Sequence, residues 1–214
     1  MTPPSVTGPV TPAGPEPAHH GRHPLAPHPT TPGARGELGV RSLSDLQTDP
    51  ATGAPFDAEQ RLAEIVSDAE HADRLGPDAF ALGEHHTLDF AVSSPAVVLA
   101  AIAARTHRIR LSSAVSVLLV LDPVRVYQDF ATLDLLSHGR AEIIAGRSAF
   151  TEPFAIVGQS LADYDALFPE KLDLLLRLRA DDHVTWAGTW AGRFRPPLHD
   201  ASIAPRASQP LLPV

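Results

Sequence analysis

The sequence predicts an α/β fold built on parallel strands, and two observations point to it. Strand-like and helix-like segments alternate four times from residue 37 onward. The strand-like segments are short apolar runs without two-faced alternation, which is typical of strands covered on both sides. Alternation of this kind indicates parallel strands joined by right-handed helical crossovers.

Residues 1–36 are predicted to be a disordered, proline-rich tail. They hold 10 of the 22 prolines, no Phe, Tyr or Trp, and only Val6, Val10 and Leu25 as large aliphatic residues. So little apolar surface cannot offset the entropy lost on ordering. The tail also holds four histidines, and a histidine-rich tract can bind metal adventitiously, but a solvated tail is the simpler interpretation. The folded domain is therefore expected to span residues 37–214.

The first two strand and helix pairs follow from apolar spacing and end signals. Residues 37–43 form a predicted strand, and the helix after it begins at Asp57 and ends at Gly76. Residues 79–83 read AFALG, a second strand short and apolar enough to be covered on both sides. Ser94, directly before a proline, caps the second helix.

The next two pairs repeat the pattern. Residues 109–117 form the third predicted strand, and Asp122 caps a helix that ends near Leu136. Residues 141–145 form the fourth strand, and a long helix covers about residues 165–178. A closed (β/α)₈ barrel takes roughly 250 residues, so four units would make half of one. At this point an open sheet remains the alternative.

Composition excludes several classes of protein. Seventeen basic and 25 acidic residues give a net charge of −8, the wrong sign for gripping phosphate backbones, so no nucleic-acid partner is expected. The absence of cysteine excludes disulfides, thiolate metal sites and a cysteine nucleophile. No apolar run approaches the roughly 18 residues of a membrane helix, and the chain does not start like a signal peptide. We therefore expect no membrane partner and a cytoplasmic location.

Polar residues concentrate where the predicted strands end, and these ends bind ligands in parallel α/β folds. Glu84, His85 and His86 follow the second strand, and residues 112–116 carry three serines on the third. An acid beside two imidazoles can hold a tautomer, transfer a proton near neutral pH or ligate a metal. A zinc site formed by the two histidines is weakly supported, because adjacent residues of an extended segment point to opposite faces and cannot easily bind one ion. The alternative is that Glu84, His85 and His86 only cap the following loop and have no role in catalysis or binding.

Gly146, Arg147 and Ser148 follow the fourth strand. Arg147 offers a fixed fork of donors for a phosphate or carboxylate, and Gly146 allows a planar ligand to approach the backbone. The sequence contains no GxGxxG, GxxxxGK or GxSxG motif. Dinucleotide-fold, nucleoside-triphosphatase and serine-hydrolase interpretations therefore lose support.

Four motifs carry a resemblance to a known family. They are Glu-His-His at 84–86, Asp-Pro-Val-Arg at 122–125, Leu-Asp-Leu-Leu-Ser-His-Gly-Arg at 133–140 and Ala-Gly-Arg at 145–147. With these motifs in order, residues 37–214 resemble the luciferase-like monooxygenases, also called LLM-class flavin-dependent oxidoreductases. The resemblance implies a TIM barrel that binds FMN, or alternatively the deazaflavin F420, at its C-terminal face, usually in a dimer.

The resemblance also implies roles for individual residues. His85 matches the active-site histidine, a proton donor or acceptor, with Glu84 and His86 beside it. Ala114 and Val115 match a non-proline cis peptide on which the flavin ring rests. These assignments come from the family and not from the spacing of the residues.

In the resemblance Arg147 matches an arginine that reaches the flavin phosphate, with Gly146 and Ser148 in the same cofactor-binding segment. The family usually shows Gly-Arg-Gly followed by a hydroxyl residue, whereas this chain has Ser148 and Ala149 after Arg147. A second unusual feature is the segment Thr-Trp-Ala-Gly at 185–188, which is repeated at once and has no physical account.

The leading hypothesis is a flavin-dependent monooxygenase that oxidises a small organic substrate with reduced flavin and O₂. A separate flavin reductase would supply the reduced flavin. One alternative is an F420-dependent dehydrogenase. Another is a non-catalytic half-barrel that folds only with a partner, because exposed parallel edges favour pairing. Residues 211–214 look like the start of a fifth strand, so we expect a truncated chain that forms a homo-oligomer and binds FMN weakly.

Overall fold

The structure of the protein is a computed structural model that describes residues 36–54, 57–189 and 195–214. The predicted tail lies outside these residues except for Gly36, so its disorder stays a prediction. The described strands are β1 (Gly39–Ser42), β2 (Ala79–Leu82), β3 (Arg110–Ser113), β4 (Ser116–Val117), β5 (Ala141–Glu142), β6 (Ala145–Gly146), β7 (His183–Trp186) and β8 (Leu198–Ser202). The described α-helices are α1 (Ala58–Leu75), α2 (Pro95–Ala103), α3 (Pro123–Leu136), α4 (Glu152–Val157) and α5 (Tyr164–Ala180).

Four parallel strands form the central sheet in the order β1-β2-β3-β5, which confirms the predicted α/β fold. Helices connect each strand to the next, as the alternation requires. Beyond β5, the backbone N–H of Ile143 donates to the carbonyl of Pro213 at 3.0 Å, and Leu212 is buried. The C-terminal segment therefore lies where a fifth strand would continue the sheet, and the arrangement is that of half a (β/α)₈ barrel.

The third and fourth predicted strands are each broken in the middle, so the expected continuous strands over 109–117 and 141–145 were wrong. β3 resumes as β4, and β5 resumes as β6, with β4 and β6 pairing in parallel. At the break the hydroxyl of Ser113 accepts from the N–H of Ile144 at 3.2 Å. A side chain thus takes a hydrogen bond that a backbone carbonyl would take in a regular ladder.

The helix ends at Asp57, Gly76 and Asp122 were predicted correctly because their signals are local, whereas Ser94 precedes α2 as expected but its side chain makes no capping hydrogen bond. The Asp57 carboxylate accepts from the N–H of Glu59 at the start of α1, and Gly76 ends that helix with φ 114°. The Asp122 carboxylate accepts from the N–H of Val124 at the start of α3. Capping of this kind depends only on residues within one turn.

Two features were not predicted from the sequence. One is the short helix α4, and the other is the antiparallel pair of β7 and β8. β8 reads LHDAS, which lacks β-branched and aromatic residues and so gives no strand signal. Pairing with β7 overrides that weak propensity.

The core lies between the sheet and its helices. Burying a large aliphatic or aromatic side chain contributes about 1.5–3 kcal/mol. The fully or almost fully buried residues include Ile65, Phe80, Leu82, Leu99, Ile102, Ile109, Leu111, Tyr127, Phe130, Leu174 and Leu178. This packing fixes the strands whose carboxyl ends carry the polar residues described next. In the described part of the chain, no helix is both long and apolar enough to cross a bilayer.

Candidate active site

The carboxyl ends of β2, β4 and β6 bring together most of the residues singled out in the sequence. Glu84 lies at the centre, with its side chain only 1% exposed. One of its oxygens is 2.8 Å from His86 Nε2, and the other accepts from the backbone N–H of Val117 at 3.0 Å. Glu84 therefore ties the end of β2 to β4 and orients His86.

Burial raises the pKa of the Glu84 carboxyl. The hydrogen bonds from the Val117 N–H and from His86 act in the opposite direction without cancelling that rise. Since both oxygens of Glu84 have protein partners, its geometry is that of an orienting group.

His85 points away from Glu84, so the two adjacent histidines lie on opposite sides of the extended segment. Its ring lies parallel to that of Phe90, with centroids 3.8 Å apart and an interplanar angle of 13°. The ring of Phe150 is T-shaped to that of His85, with ring centroids 5.3 Å apart. Among the described residues, nothing hydrogen-bonds to the buried Nε2 of His85.

Burial lowers the pKa of His85, and the nearby His86 lowers it further, while Asp45 acts in the opposite direction. His85 is thus favoured as the uncharged imidazole. Within residues 36–54, 57–189 and 195–214, no group of three His, Asp or Glu side chains is arranged to hold a metal ion.

The segment between β3 and β4 lies beside these histidines. The peptide bond between Ala114 and Val115 is cis, which confirms the geometry that the family resemblance implies. Gly146 faces this segment, and a Cβ atom at Gly146 would come within 2.3 Å of Val115 Cγ2. The space that we expected a planar ligand to use is filled by the Val115 side chain, so glycine is required here by packing. Contact of Ala114, Val115 or Gly146 with a ligand stays a prediction.

Arg147 turns toward α5. Its Nη1 atom lies 3.1 Å from the carboxylate of Asp165, and its guanidinium lies 5.0 Å from the ring centroid of Phe168 and 5.7 Å from that of Tyr164. The Arg147 side chain is 44% exposed and Asp165 is 91% exposed. An ion pair so exposed is weak, so the guanidinium can exchange this carboxylate for another anion at little cost.

Ser148 shapes the segment that follows Arg147. It has a φ of 78°, and its hydroxyl donates to the carbonyl of Phe150 and accepts from the N–H of the same residue. The Tyr164 hydroxyl donates to the Ser148 carbonyl at 3.2 Å. The Ser148 side chain thus holds a local turn that places Phe150 against His85.

Three residues near the site were missed by the sequence reading. Phe90 and Phe150 gave no signal, because Phe90 contacts His85 within an irregular loop that has no fixed spacing and Phe150 reaches it from a separate loop. Lys171 did give one, since it interrupts the apolar face of α5. Its Nζ atom donates to the carbonyls of Leu119 and Leu121 at 2.6 and 2.9 Å. Burial lowers the pKa of Lys171 to about 8, with Asp122 acting in the opposite direction.

A parallel βα domain that gathers an acid, two imidazoles and an arginine at the carboxyl ends of its strands has the layout of the enzyme barrels. Residues 37–214 match the family model described as luciferase-like monooxygenase. The chain belongs to this family.

Two relatives illustrate the match. Limonene 1,2-monooxygenase of Rhodococcus erythropolis is 35% identical over 138 residues, which are 64% of this chain and 36% of that protein. The crystal structure of the monooxygenase RslO1 from Streptomyces bottropensis is 29% identical, with a TM-score of 0.73, and the match covers 83% of this chain and 52% of that one. The chain thus spans about a third to a half of the length of these relatives.

Two more distant structures share the fold alone. The oxygenating constituent of 3,6-diketocamphane monooxygenase from Pseudomonas putida, a type II Baeyer-Villiger monooxygenase solved with FMN, is 18% identical with a TM-score of 0.64, over 81% of this chain and 45% of that one. An F420-dependent secondary alcohol dehydrogenase, solved with an F420-acetone adduct, is 16% identical with a TM-score of 0.64, over 82% of this chain and 50% of that one.

Proposed function

We propose that this chain is part of a flavin-dependent monooxygenase that binds FMN at the carboxyl ends of its strands and oxidises a small organic substrate with O₂. The observation that carries the proposal is His85. In the described residues its buried Nε2 has no hydrogen-bond partner, although buried polar atoms are rarely left unpaired in proteins. Unpaired polar groups of this kind are typical of sites that meet a ligand.

The residues at this face fit a flavin. Val115 packed on Gly146 gives an apolar wall beside the histidines, and Arg147 supplies an exchangeable cation for a phosphate group. When bound, the flavin supplies the transfer of electrons to oxygen. The protein residues bind it, orient it and keep water away.

Each side chain then has a distinct task. His85, favoured as the uncharged imidazole, accepts a proton at Nε2 and returns it. Glu84 holds the N–H of Val117 and the ring of His86, so it fixes the backbone that follows the cis peptide. Leu118 and Leu119, both fully buried, continue that backbone as an apolar, water-excluding segment.

A titration with two ligands tests the proposal. FMN and riboflavin share the ring system but only FMN carries a phosphate. We expect the parent chain to bind FMN more tightly than riboflavin, and Arg147→Ala to weaken FMN binding about tenfold, or about 1.4 kcal/mol, while leaving riboflavin binding unchanged. Arg147→Lys, which keeps the charge, is the matched control and should retain part of the preference. Equal binding of FMN and riboflavin by the parent would contradict the assignment of Arg147.

An F420-dependent dehydrogenase is the second candidate. It is favoured by the fold shared with the F420-dependent alcohol dehydrogenase, which matches as well as the FMN enzyme does by TM-score. Titration of the same preparation with F420 distinguishes the two candidates. Binding of neither ligand would favour a non-catalytic domain that needs a partner to fold.

The remaining parts of the proposal concern partners. The name of the camphane enzyme, an oxygenating constituent, supports a separate flavin reductase as the source of reduced flavin. β1 is an edge strand of the sheet, and exposed apolar side chains lie in it and directly beside it, namely Leu38, Val40 and Leu43. This arrangement supports a homo-oligomer. We also propose that the protein is located in the cytoplasm.

A further inference from the structure

We propose that Phe90 is a positioning residue for His85, whose ring it holds flat at the end of β2 and shields from water. The inference rests on the proposed function, because it concerns the readiness of that imidazole to accept a proton. It adds a residue that does not touch the reacting atoms and that the sequence motifs do not contain.

The position of Phe90 is itself fixed by the loop that follows β1. Asp45 and Phe90 form an antiparallel bridge. On either side of it, the N–H of Leu46 donates to the carbonyl of Asp89 at 2.7 Å, and the N–H of Ala91 donates to the carbonyl of Ser44 at 2.8 Å. The Phe90 backbone is therefore tied down, so its ring is a fixed surface for the imidazole.

The imidazole is held in a slot with Phe90 on one face. The N–H of His85 donates to the carbonyl of Val92 at 3.0 Å, which sets the backbone, and the ring then folds back over Gly83. A Cβ atom at Gly83 would come within 3.0 Å of His85 Nε2, so a residue with a side chain would press on the ring. Phe150 is T-shaped to His85, with ring centroids 5.3 Å apart, and is 45% exposed. Phe90 thus gives the broad, fixed contact.

The charged and titratable groups around His85 come from several elements. His86 is next in the chain, Glu84 precedes it and is bonded to His86, Asp45 lies on the loop after β1, and Glu152 begins α4 and lines the same cavity. Burial and His86 lower the pKa of His85, and the Asp45 carboxylate raises it, with burial the largest effect. Removing the cover that Phe90 provides should therefore raise the pKa of His85.

An aromatic face also attracts a cation, which would favour the charged imidazolium and raise the pKa. Burial acts in the opposite direction and lowers the pKa of His85. The two effects can be separated by substitution. Leucine keeps an apolar cover but has no aromatic face, whereas alanine removes both.

The experiment is a pH titration of the ¹⁵N-histidine-labelled chain followed by NMR, with the His85 signals assigned from their loss in His85→Gln. In the parent, His85 should titrate below the ordinary histidine value of about 6.5 and show the ring-current shift of a proton beneath an aromatic face. In Phe90→Ala the pKa should rise toward about 6.5 and the ring-current shift should largely vanish. In Phe90→Leu the shift should largely vanish as well, while the pKa stays low.

Each outcome decides the inference. A His85 pKa that is the same in the parent and in a folded Phe90→Ala variant would overturn it, as would a ring-current shift that is as large in either variant as in the parent, since Phe150 accounts for only a remainder. Should Phe90→Ala fail to fold, the loss or survival of the shift in Phe90→Leu still decides whether Phe90 holds the ring. The titration needs no flavin, so failure of this inference is distinguishable from failure of FMN binding.

Discussion

At the amino ends of the parallel strands, Asp73 and Asp134 each accept several backbone N–H groups, whereas at the carboxyl end of β2 the Nε2 atom of His85 has no hydrogen-bond partner among the described residues. Asp73 accepts the N–H groups of His107, Arg108 and Ile109 just before β3. At the other end His85 Nε2 is buried without such a partner among the described residues. This difference agrees with the division of barrel enzymes, in which the amino ends of the strands serve stability and the carboxyl ends carry the active site.

The two ends also shift carboxyl groups in opposite directions. Burial by itself would raise the pKa of Asp134, but hydrogen bonds from Gln209, Ser208 and Ala141 outweigh it and lower that pKa. Burial raises the pKa of Glu84, whose fewer hydrogen bonds do not compensate. In Asp134 the hydrogen bonds outweigh burial, whereas in Glu84 burial outweighs the hydrogen bonds.

The largest expected effect is on stability, at the amino end. Asp134 is fully buried and accepts from the backbone N–H groups of Ser208, Gln209 and Ala141, as well as from two side chains. Asp134→Ala leaves these donors unpaired, and each costs about 1–3 kcal/mol. We expect a loss of at least about 3 kcal/mol in the free energy of unfolding, measured by urea denaturation followed by circular dichroism.

Asp68→Ala is the matched control for this variant, because its carboxylate is 62% exposed and lies 3.9 Å from Arg61. It should change the free energy of unfolding by no more than about 0.5 kcal/mol. Similar losses in the two variants would show that Asp134 does not hold the C-terminal segment. Asp134→Asn, which keeps an acceptor oxygen, should lie between them.

The next effect is on catalysis, at the carboxyl end. In a preparation that turns over substrate with reduced FMN and O₂, His85→Ala should lower product formation about a hundredfold, the scale for losing a general acid or base. Its free energy of unfolding should change by only about 1 kcal/mol, the value of one aromatic pair. His71→Ala, an exposed histidine on α1, is the control and should change neither quantity. Unchanged turnover in His85→Ala would remove this residue from the mechanism.

The smallest effect is a difference in pH dependence, because it comes from the protonation of single groups. The folded-state pKa of Glu84 is raised, so its contribution to stability is complete below the ordinary value of 4.5 and is lost as the pH rises through the folded value. Glu84→Gln removes that loss. The free energy of unfolding of Glu84→Gln minus that of the parent should therefore be larger at pH 7 than at pH 4.

Asp134→Asn should behave in the opposite way. The folded-state pKa of Asp134 is lowered, so its contribution is complete above the ordinary value of 3.8 and is lost as the pH falls through the folded value. The advantage of the parent over Asp134→Asn should shrink in acid. Urea denaturation of both variants between pH 3 and pH 7 checks the two signs, and curves that run parallel to the parent would refute the contrast between the ends.

The sequence predicted the elements whose signals are local. The start of α1 at Asp57, its end at Gly76 and the capped start of α3 depend on residues within a turn, and the structure has each of them. The placement of Glu84 and His85 at the end of β2 followed from the same local order. Reading polar residues at strand ends was therefore sufficient to find the candidate site.

The sequence did not reveal the partners of these residues. The contact of Phe150 with His85, the use of Glu84 as a bridge to Val117 and the turn of Arg147 toward Asp165 all join residues from separate elements. Such contacts depend on how strands and loops are brought together in space.

By itself, the amino-acid order determined the alternation of strands and helices, the helix caps and the residue types at the strand ends, because these follow from local geometry and apolar spacing. Only the tertiary structure decided which of two adjacent histidines is stacked against an aromatic ring and which is bonded to Glu84. The physical reason is that the protonation of a group depends on the water and charges that surround it, and those neighbours are assembled from distant parts of the chain.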